Sequence, residues 1–367
     1  MEGLDLTAFW QGRRVLVTGH TGFKGPWLCL WLERLGAEVT AVALEPQTEP
    51  SLFDLAGPVT AESHFADIGD GEQLAEITRR AQPEIVLHLA AQALVRPSYA
   101  DPAGTFATNI MGTVNLLEAV RQAPSVRTVL VVTSDKVYAN DGAGRPFDEG
   151  DRLGGHDPYS ASKACAELVC QSYAKSFFSD GRVALATARA GNVIGGGDWA
   201  QDRLVPDIVR ALGKGQPAEL RYPQAVRPWQ HVLEPLSGYL AYAQALYERT
   251  RDMPETLNFG PDASDFATVA ELAEELGRRF GASDVWTKAP GEHPAEAPVL
   301  TLTSHRATEV LGWHPRLDRV ATVAWTADWY EAHRQRADMR KFTLSQIAAY
   351  EELMHDHASM PVLPSAG

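Results

Sequence analysis

Tyr159 and Lys163 stand four residues apart in YSASK, a spacing that puts both side chains on one face of a helix, a single turn apart. A phenol beside an ammonium loses its proton more readily than a free tyrosine, whose pKa is about 10, and so approaches the strength of a general base. Upstream, Thr133-Ser134-Asp135-Lys136 sets two hydroxyls, a carboxylate and an amine directly after the apolar run TVLVV. Four polar groups there do not read as core; they read either as a capping turn or as ligand-facing chemistry at a strand end. A third group is the turn Thr18-Gly19-His20-Thr21-Gly22-Phe23-Lys24-Gly25, with glycine at every third position. Such a turn brings backbone N–H groups close to a phosphate, and a helix starting from it adds partial positive charge. The spacing is GxxGxxG, not the GxGxxG of the dinucleotide fingerprint, and a purely structural turn fits it as well.

These groups need elements to carry them. Arg14 to Thr18 (RVLVT) reads as a β-branched strand, and Gly25 to Gly36 brings Trp27, Leu30, Trp31 and Leu35 to helical spacing. A second strand over Val39 to Leu44 completes a strand–helix–strand unit, whose crossover implies parallel pairing. Ile85 to Leu89, Thr128 to Val132 and Val183 to Ala188 are nearly all apolar, as strands covered on both faces must be. Helices are predicted over Pro102 to Gln122, capped by Asp101, and over Pro158 to Phe177. The sum is an α/β, doubly wound parallel sheet, with TVLVV as its fourth strand and YSASK opening the helix that follows.

Beyond Gly191 the character changes. GNVIGGGDWAQDR is loop-like, Leu204 to Leu212 reads as a short helix, and RYPQAVRPWQHV mixes proline, arginine and aromatics, as substrate-binding elements do. A helix over Pro235 to Arg249, a short strand at Leu257 to Phe259 and a helix over Val269 to Phe280 follow; Thr343 to Gly367 is expected to add a short helix and a proline-containing end. The expected division is a nucleotide-binding domain over 1–190 and about 229–262, a substrate domain over 191–228 and 263–345, and a tail over 346–367.

The 367 residues, 45% hydrophobic and 22% charged, suit an ordinary globular enzyme. A formal net charge of −14 speaks against a nucleic-acid surface, so an anionic ligand must meet locally placed cations or backbone N–H groups. Cys29, Cys165 and Cys170 form neither a paired framework nor a CxxC, which predicts reduced thiols and a cytoplasmic protein with no metal site. The opening MEGLDLTAFWQGRR lacks a continuous apolar segment of the secretory kind, and no stretch is apolar for long enough to span a bilayer.

In chain order, TGHTGFKG, HLAAQ, TSDKVY, YSASK, RAGNVIGGGD and RPWQHV resemble the extended short-chain dehydrogenase/reductases, across most of the chain. The resemblance implies a Rossmann-type sheet with a smaller, interleaved C-terminal substrate domain, and NAD as cofactor. It implies that Gly19, Thr21, Gly22, Phe23 and Gly25 hold the pyrophosphate and that Leu89, Ala90 and Ala91 line the cofactor. Ser134, Tyr159 and Lys163 match the family's Ser/Tyr/Lys triad, with Thr133, Tyr159 and Lys163 also expected beside the cofactor. From the residues themselves, Glu45 is the nearest acid for the ribose, and Asp67-Ile68 reads either as a flank for the adenine or as a plain turn. The absence of arginine after the second strand favours NAD over NADP.

Within that family the chain most resembles the nucleotide-sugar 4,6-dehydratases, and among them the branch acting on CDP-glucose. Most relatives have Asp-Glu where this chain has Asp135-Lys136; lysine is the branch's residue, and HTGFKG, AAQALVRPSY, AGNVIGGGDW and RPWQHVLEPLSGYL also match it. The resemblance implies oxidation at carbon 4 by Tyr159 and NAD, water loss across carbons 5 and 6 aided by Asp135, and hydride return to carbon 6. Lys136 is then either a base or an electrostatic stabiliser. Ser134, Asn192, Arg203, Arg227 and Asn258 are carried over as substrate contacts, the arginines for the diphosphate. A homodimer or dimer of dimers is implied, through helices 102–122 and 158–177. The alternatives are an epimerase, reductase or decarboxylase of nucleotide sugars on the same fold and, in another class, a non-catalytic NAD-sensing protein.

Overall fold

The computed structural model describes residues 6–249, 253–293 and 296–358. Its centre is a seven-stranded sheet of β1 (Arg14–Thr18), β2 (Glu38–Ala43), β3 (Glu62–Phe65), β4 (Ile85–His88), β5 (Thr128–Val132), β6 (Ala184–Ala190) and β7 (Thr256–Phe259). The order across the sheet is β7-β6-β5-β4-β1-β2-β3, and every pairing is parallel. The chain winds outward from β1 to β3, then crosses back to β4, so the order reverses between β1 and β4. Ligands of open parallel sheets bind outside the carboxyl ends of the strands at such a reversal.

β4 and β5 are buried at every residue, because helices cover both faces. β3 is the strand that sequence reading missed: its ESHF is mostly exposed, and it lies at the sheet edge, where half-polar residues are tolerated and leave no apolar run. TVLVV is therefore the fifth strand, not the fourth. The short strand at 256–259 pairs with β6 and closes the opposite edge.

α1 (Lys24–Arg34) is buried from Gly25 to Leu32. It carries no polar stripe because it is enclosed between the sheet and the C-terminal helix: Trp31 Nε1 donates to Glu351 Oε1 at 3.0 Å, and Arg34 pairs with Glu351 at 2.7 Å. The helix expected over Pro102 to Gln122 starts on the Asp101 cap, but a π-helical stretch at Ala107–Met111 splits it into Pro102–Phe106 and Gly112–Arg121. α2 (Pro158–Phe177) runs over the residues expected of it, with Asp157 accepting from Ser160 N and Pro158 in the first turn. α3 (Leu233–Glu248) is almost wholly buried. α4 (Met339–Ala358) is a long final helix, not the short one expected, and the proline-containing end from 359 lies outside the described residues.

Outside the main sheet, Ala218–Leu220 pairs in parallel with Trp286–Lys288, and Val226–Arg227 pairs antiparallel with Ala267–Thr268. With helices Leu204–Gly213 and Val269–Arg279 they form a smaller unit beside the strand ends. Among the described residues no helix is long and apolar enough to cross a membrane.

Candidate active site

A cavity of about 840 Å3 runs along the carboxyl ends of the strands. Its wall takes Gly19 after β1, Glu45 after β2, Asp67 and Ile68 after β3, Leu89 to Ala91 after β4, Thr133 to Lys136 after β5, and Gly191 and Asn192 after β6. The smaller unit adds Arg203, Arg221, Tyr222 and Arg227. Each residue singled out from the sequence as a site residue lines this cavity except Asn258.

Asn258 is fully buried on β7 and already committed. Its Oδ1 accepts from Tyr138 Oη at 2.6 Å, its Nδ2 donates to the Phe147 carbonyl at 3.2 Å, and its N–H donates to Glu149 Oε1 at 2.8 Å. The expectation that it touches the nucleotide is corrected: it ties β7 to the segment after β5.

At the end of the cavity beside β1, the strand stops at Gly19, whose φ of +84° is open to glycine at no steric cost. A Cβ there would also lie 2.7 Å from the Ala90 N, so the turn passes against the end of β4. Phe23 caps α1 without any side-chain hydrogen bond to the first turn; within that turn Gly25 N donates to the Gly22 carbonyl at 3.2 Å and Pro26 has no N–H. Asp67 Oδ1 accepts from Gly69 N at 2.7 Å, so this residue is both a turn acid and part of the cavity wall.

Tyr159 and Lys163 lie on the first turns of α2, both buried. Lys163 Nζ donates to the Val132 carbonyl at the end of β5, 3.1 Å away. Burial drives the pKa of this lysine down to about 8, opposed mainly by the charge of Glu167. The expected lowering of the Tyr159 phenol is not found in the protein alone. Burial pushes it up to about 12, and Ser134 by hydrogen bonding and Arg203 by charge offset only part of this. Desolvation of a phenolate outweighs the cations around it.

Ser134 Oγ donates to Asp135 Oδ1 at 3.0 Å and accepts from Lys136 N at 3.2 Å, capping a short 3-10 turn over Asp135–Val137. Asp135 is 2% exposed, and its Oδ2 has no protein partner. Lys136 is half-buried on the cavity wall. Arg203 pairs with Asp198 at 3.0 Å; Arg227 donates to the Ala297 carbonyl at 2.9 Å and faces Glu296 at 3.3 Å. Asn192 takes a positive φ of 43°, a conformation asparagine tolerates better than most residues.

Two groups at the site went unassigned in the sequence reading. Lys24, inside the glycine turn, lines the cavity with its Nζ over the Tyr239 ring, and burial lowers it to about 7. Glu167 lies under the cavity floor, one turn beyond Lys163; the recurrence at 159, 163 and 167 was the signal for it.

Residues 15–260 match the model of the NAD dependent epimerase/dehydratase family. The chain is 46% identical over 348 residues to a CDP-glucose 4,6-dehydratase of Salmonella typhimurium, covering 93% of this chain and 97% of that one. Among solved structures, it resembles a dTDP-glucose 4,6-dehydratase from Streptomyces venezuelae with NAD bound: TM-score 0.75, 25% identity, 89% of this chain and 99% of that one. It also resembles a UDP-glucose 4-epimerase of Thermus thermophilus in complex with NAD, with TM-score 0.74 and 26% identity over 86% of this chain and 98% of that one. The family model spans more than half of the chain and the similarity to the Salmonella typhimurium protein nearly all of it, and the chain belongs to the NAD dependent epimerase/dehydratase family.

Proposed function

We propose that this protein is a hydro-lyase that converts CDP-glucose to CDP-4-dehydro-6-deoxyglucose with NAD. The observation that carries the reading is Asp135, buried with one oxygen unpartnered, next to Lys136 in the cavity that also holds Tyr159 and Lys163. An epimerase needs the tyrosine and lysine but has no task for that pair. The relative that is 46% identical bears the corresponding name.

The cavity suits NAD on its own terms: the Gly19 turn at the N-terminus of α1 for a diphosphate, Glu45 for a ribose hydroxyl and Asp67-Ile68 for an adenine flank. Gly19, Thr21, Gly22, Phe23 and Gly25 would hold it, with Leu89, Ala90, Ala91, Thr133 and Lys163 along its length. Bound NAD would supply a reversible hydride acceptor, through which the hydride lost from carbon 4 could be returned to carbon 6. Tyr159 takes the proton of the carbon 4 hydroxyl, and Ser134 holds that oxygen. The ketone so formed acidifies carbon 5, and Asp135 assists departure of the carbon 6 hydroxyl. We assign to Lys136 the stabilisation of the charge that develops as the carbon 5 proton passes to water or to another group of the site. Arg203, Arg227 and Asn192 bind the sugar-nucleotide diphosphate, the arginines by releasing Asp198 and Glu296.

In this reading, 1–190 with about 229–262 bind NAD and 191–228 and 263–345 bind the nucleotide sugar; residues 346–358, expected as part of a tail, belong instead to α4, with Ile347 and Tyr350 fully buried. We place the protein in the cytoplasm as a homodimer or dimer of dimers. Met111 and Leu168, half-exposed on the two helices expected to pair, support that surface, and light scattering tests it. A panel of CDP-, UDP-, TDP- and GDP-sugars, followed by mass spectrometry for loss of one water, tests the reaction.

A further inference from the structure

Tyr159, Lys163 and Glu167 succeed one another at four-residue spacing on α2, and Glu167 has no exposed surface. Its Oε1 accepts from Thr133 Oγ1 at 2.5 Å and Arg189 Nε at 2.9 Å; its Oε2 accepts from Thr187 Oγ1 at 2.7 Å and Arg189 Nη2 at 2.9 Å. Thr133 directly precedes Ser134 and Asp135. Thr187 and Arg189 lie on β6, which leads into Gly191 and Asn192. Arg189 reaches on to Tyr138 Oη at 2.9 Å, and that hydroxyl donates to Asn258 on β7.

A buried ion pair is a poor device for stability alone, since apolar residues of the same volume serve as well or better. Here it is placed where three elements bearing site residues converge. We propose that Glu167 is a positioning residue of the catalytic centre, fixing Thr133-Ser134-Asp135 against Tyr159 and keeping a negative charge one helical turn below Lys163. The proposal rests on the catalytic reading of Tyr159 and Lys163 given above.

The groups that share electrostatic interactions with Lys163 are Lys24 on α1, His88 at the end of β4, and Glu167 and Cys170 on its own helix. Burial keeps His88 neutral, down to about 3, and holds Cys170 as a thiol. Glu167 is thus the anion that favours the ammonium of Lys163. Without it the lysine loses its proton at lower pH.

Glu167→Gln strands the Arg189 guanidinium, so the test pairs it with Arg189→Met and checks folding by circular dichroism. The expected result is kcat lower by about tenfold or more with KM little changed, and an alkaline limb of kcat moved to lower pH by about one unit. A folded double variant whose pH profile overlays that of the unaltered protein overturns the proposal. Should the pair fail to fold, Thr133→Val removes only that hydroxyl, with its bond to Glu167 and its longer one to the Ala188 carbonyl; several-fold loss of kcat is expected, and an unchanged kcat contradicts the positioning role. NMR titration of the Lys163 side chain needs no substrate: a lower midpoint in Glu167→Gln is expected, and an unmoved one overturns the electrostatic part. If CDP-glucose is not turned over, the substrate reading fails while this titration still decides the inference.

Discussion

Gly191 leaves the space that Asp135 fills: a Cβ built on Gly191 would lie 1.9 Å from Asp135 Oδ2. The end of β6 and the turn after β5 therefore meet at the one carboxylate that distinguishes the proposed dehydration from simple oxidation.

Gly191→Ala is expected to push Asp135 out of place while leaving the nucleotide contacts intact. Displacement by about 1 Å at a reacting group costs roughly 100-fold. Steady-state kinetics should show that loss in kcat with KM within a few-fold, and full activity would show that Asp135 need not sit where it does.

Tyr159→Phe removes the proton acceptor and keeps the ring. A positioned general base contributes about 10²–10⁴-fold, so kcat should fall by at least two orders of magnitude. Unchanged turnover would remove the basis for the whole catalytic assignment.

Arg227→Lys tests the diphosphate contact. Lysine lacks the planar fork that binds phosphate oxygens bidentately, so KM should rise by about tenfold with kcat nearly preserved. An unaltered KM would leave Arg227 as a structural tie to Ala297 and Glu296 only.

Glu234 offers a test of stability against pH. It is fully buried in α3, accepts from Tyr350 Oη at 2.7 Å and from the N–H groups of Arg316 and Leu317, and burial raises it from 4.5 to about 7. Its folded pKa lies above the unfolded one, so its contribution is fully present below pH 4.5 and is lost as pH rises through about 7. Glu234→Gln cannot titrate, and its amide can donate to Tyr350. In urea unfolding, the stability of the unaltered protein relative to this variant should drop by about 3 kcal/mol between pH 4.5 and 7. A difference independent of pH would contradict the assignment.

The sequence exposed what depends on uniform burial and local spacing. TVLVV, RVLVT and the capped helix from Pro158 were legible because strands covered on both faces are apolar throughout and because Asp157-Pro158 marks a helix start. β3 was hidden because an edge strand need not be apolar. The π-helical stretch at Ala107–Met111 is set by tertiary packing: Asn109 bonds Ser162 and the Gln92 carbonyl, which no local pattern encodes. Asn258 was misread since NFG at a strand end gives no sign that its amide is consumed by Tyr138 and Phe147. The Tyr159–Lys163 spacing gave the geometry but not the electrostatics, because burial, which helical spacing does not report, dominates both groups.

The central claim is that one cavity both oxidises and dehydrates, returning its own hydride. The most direct measurement is incubation of the protein with CDP-glucose deuterated at carbon 4, analysed by mass spectrometry and NMR. The account predicts loss of one water with the deuterium found at carbon 6 of the product. A product of unchanged composition epimerised at carbon 4, or loss of water with the deuterium released to solvent, would contradict it.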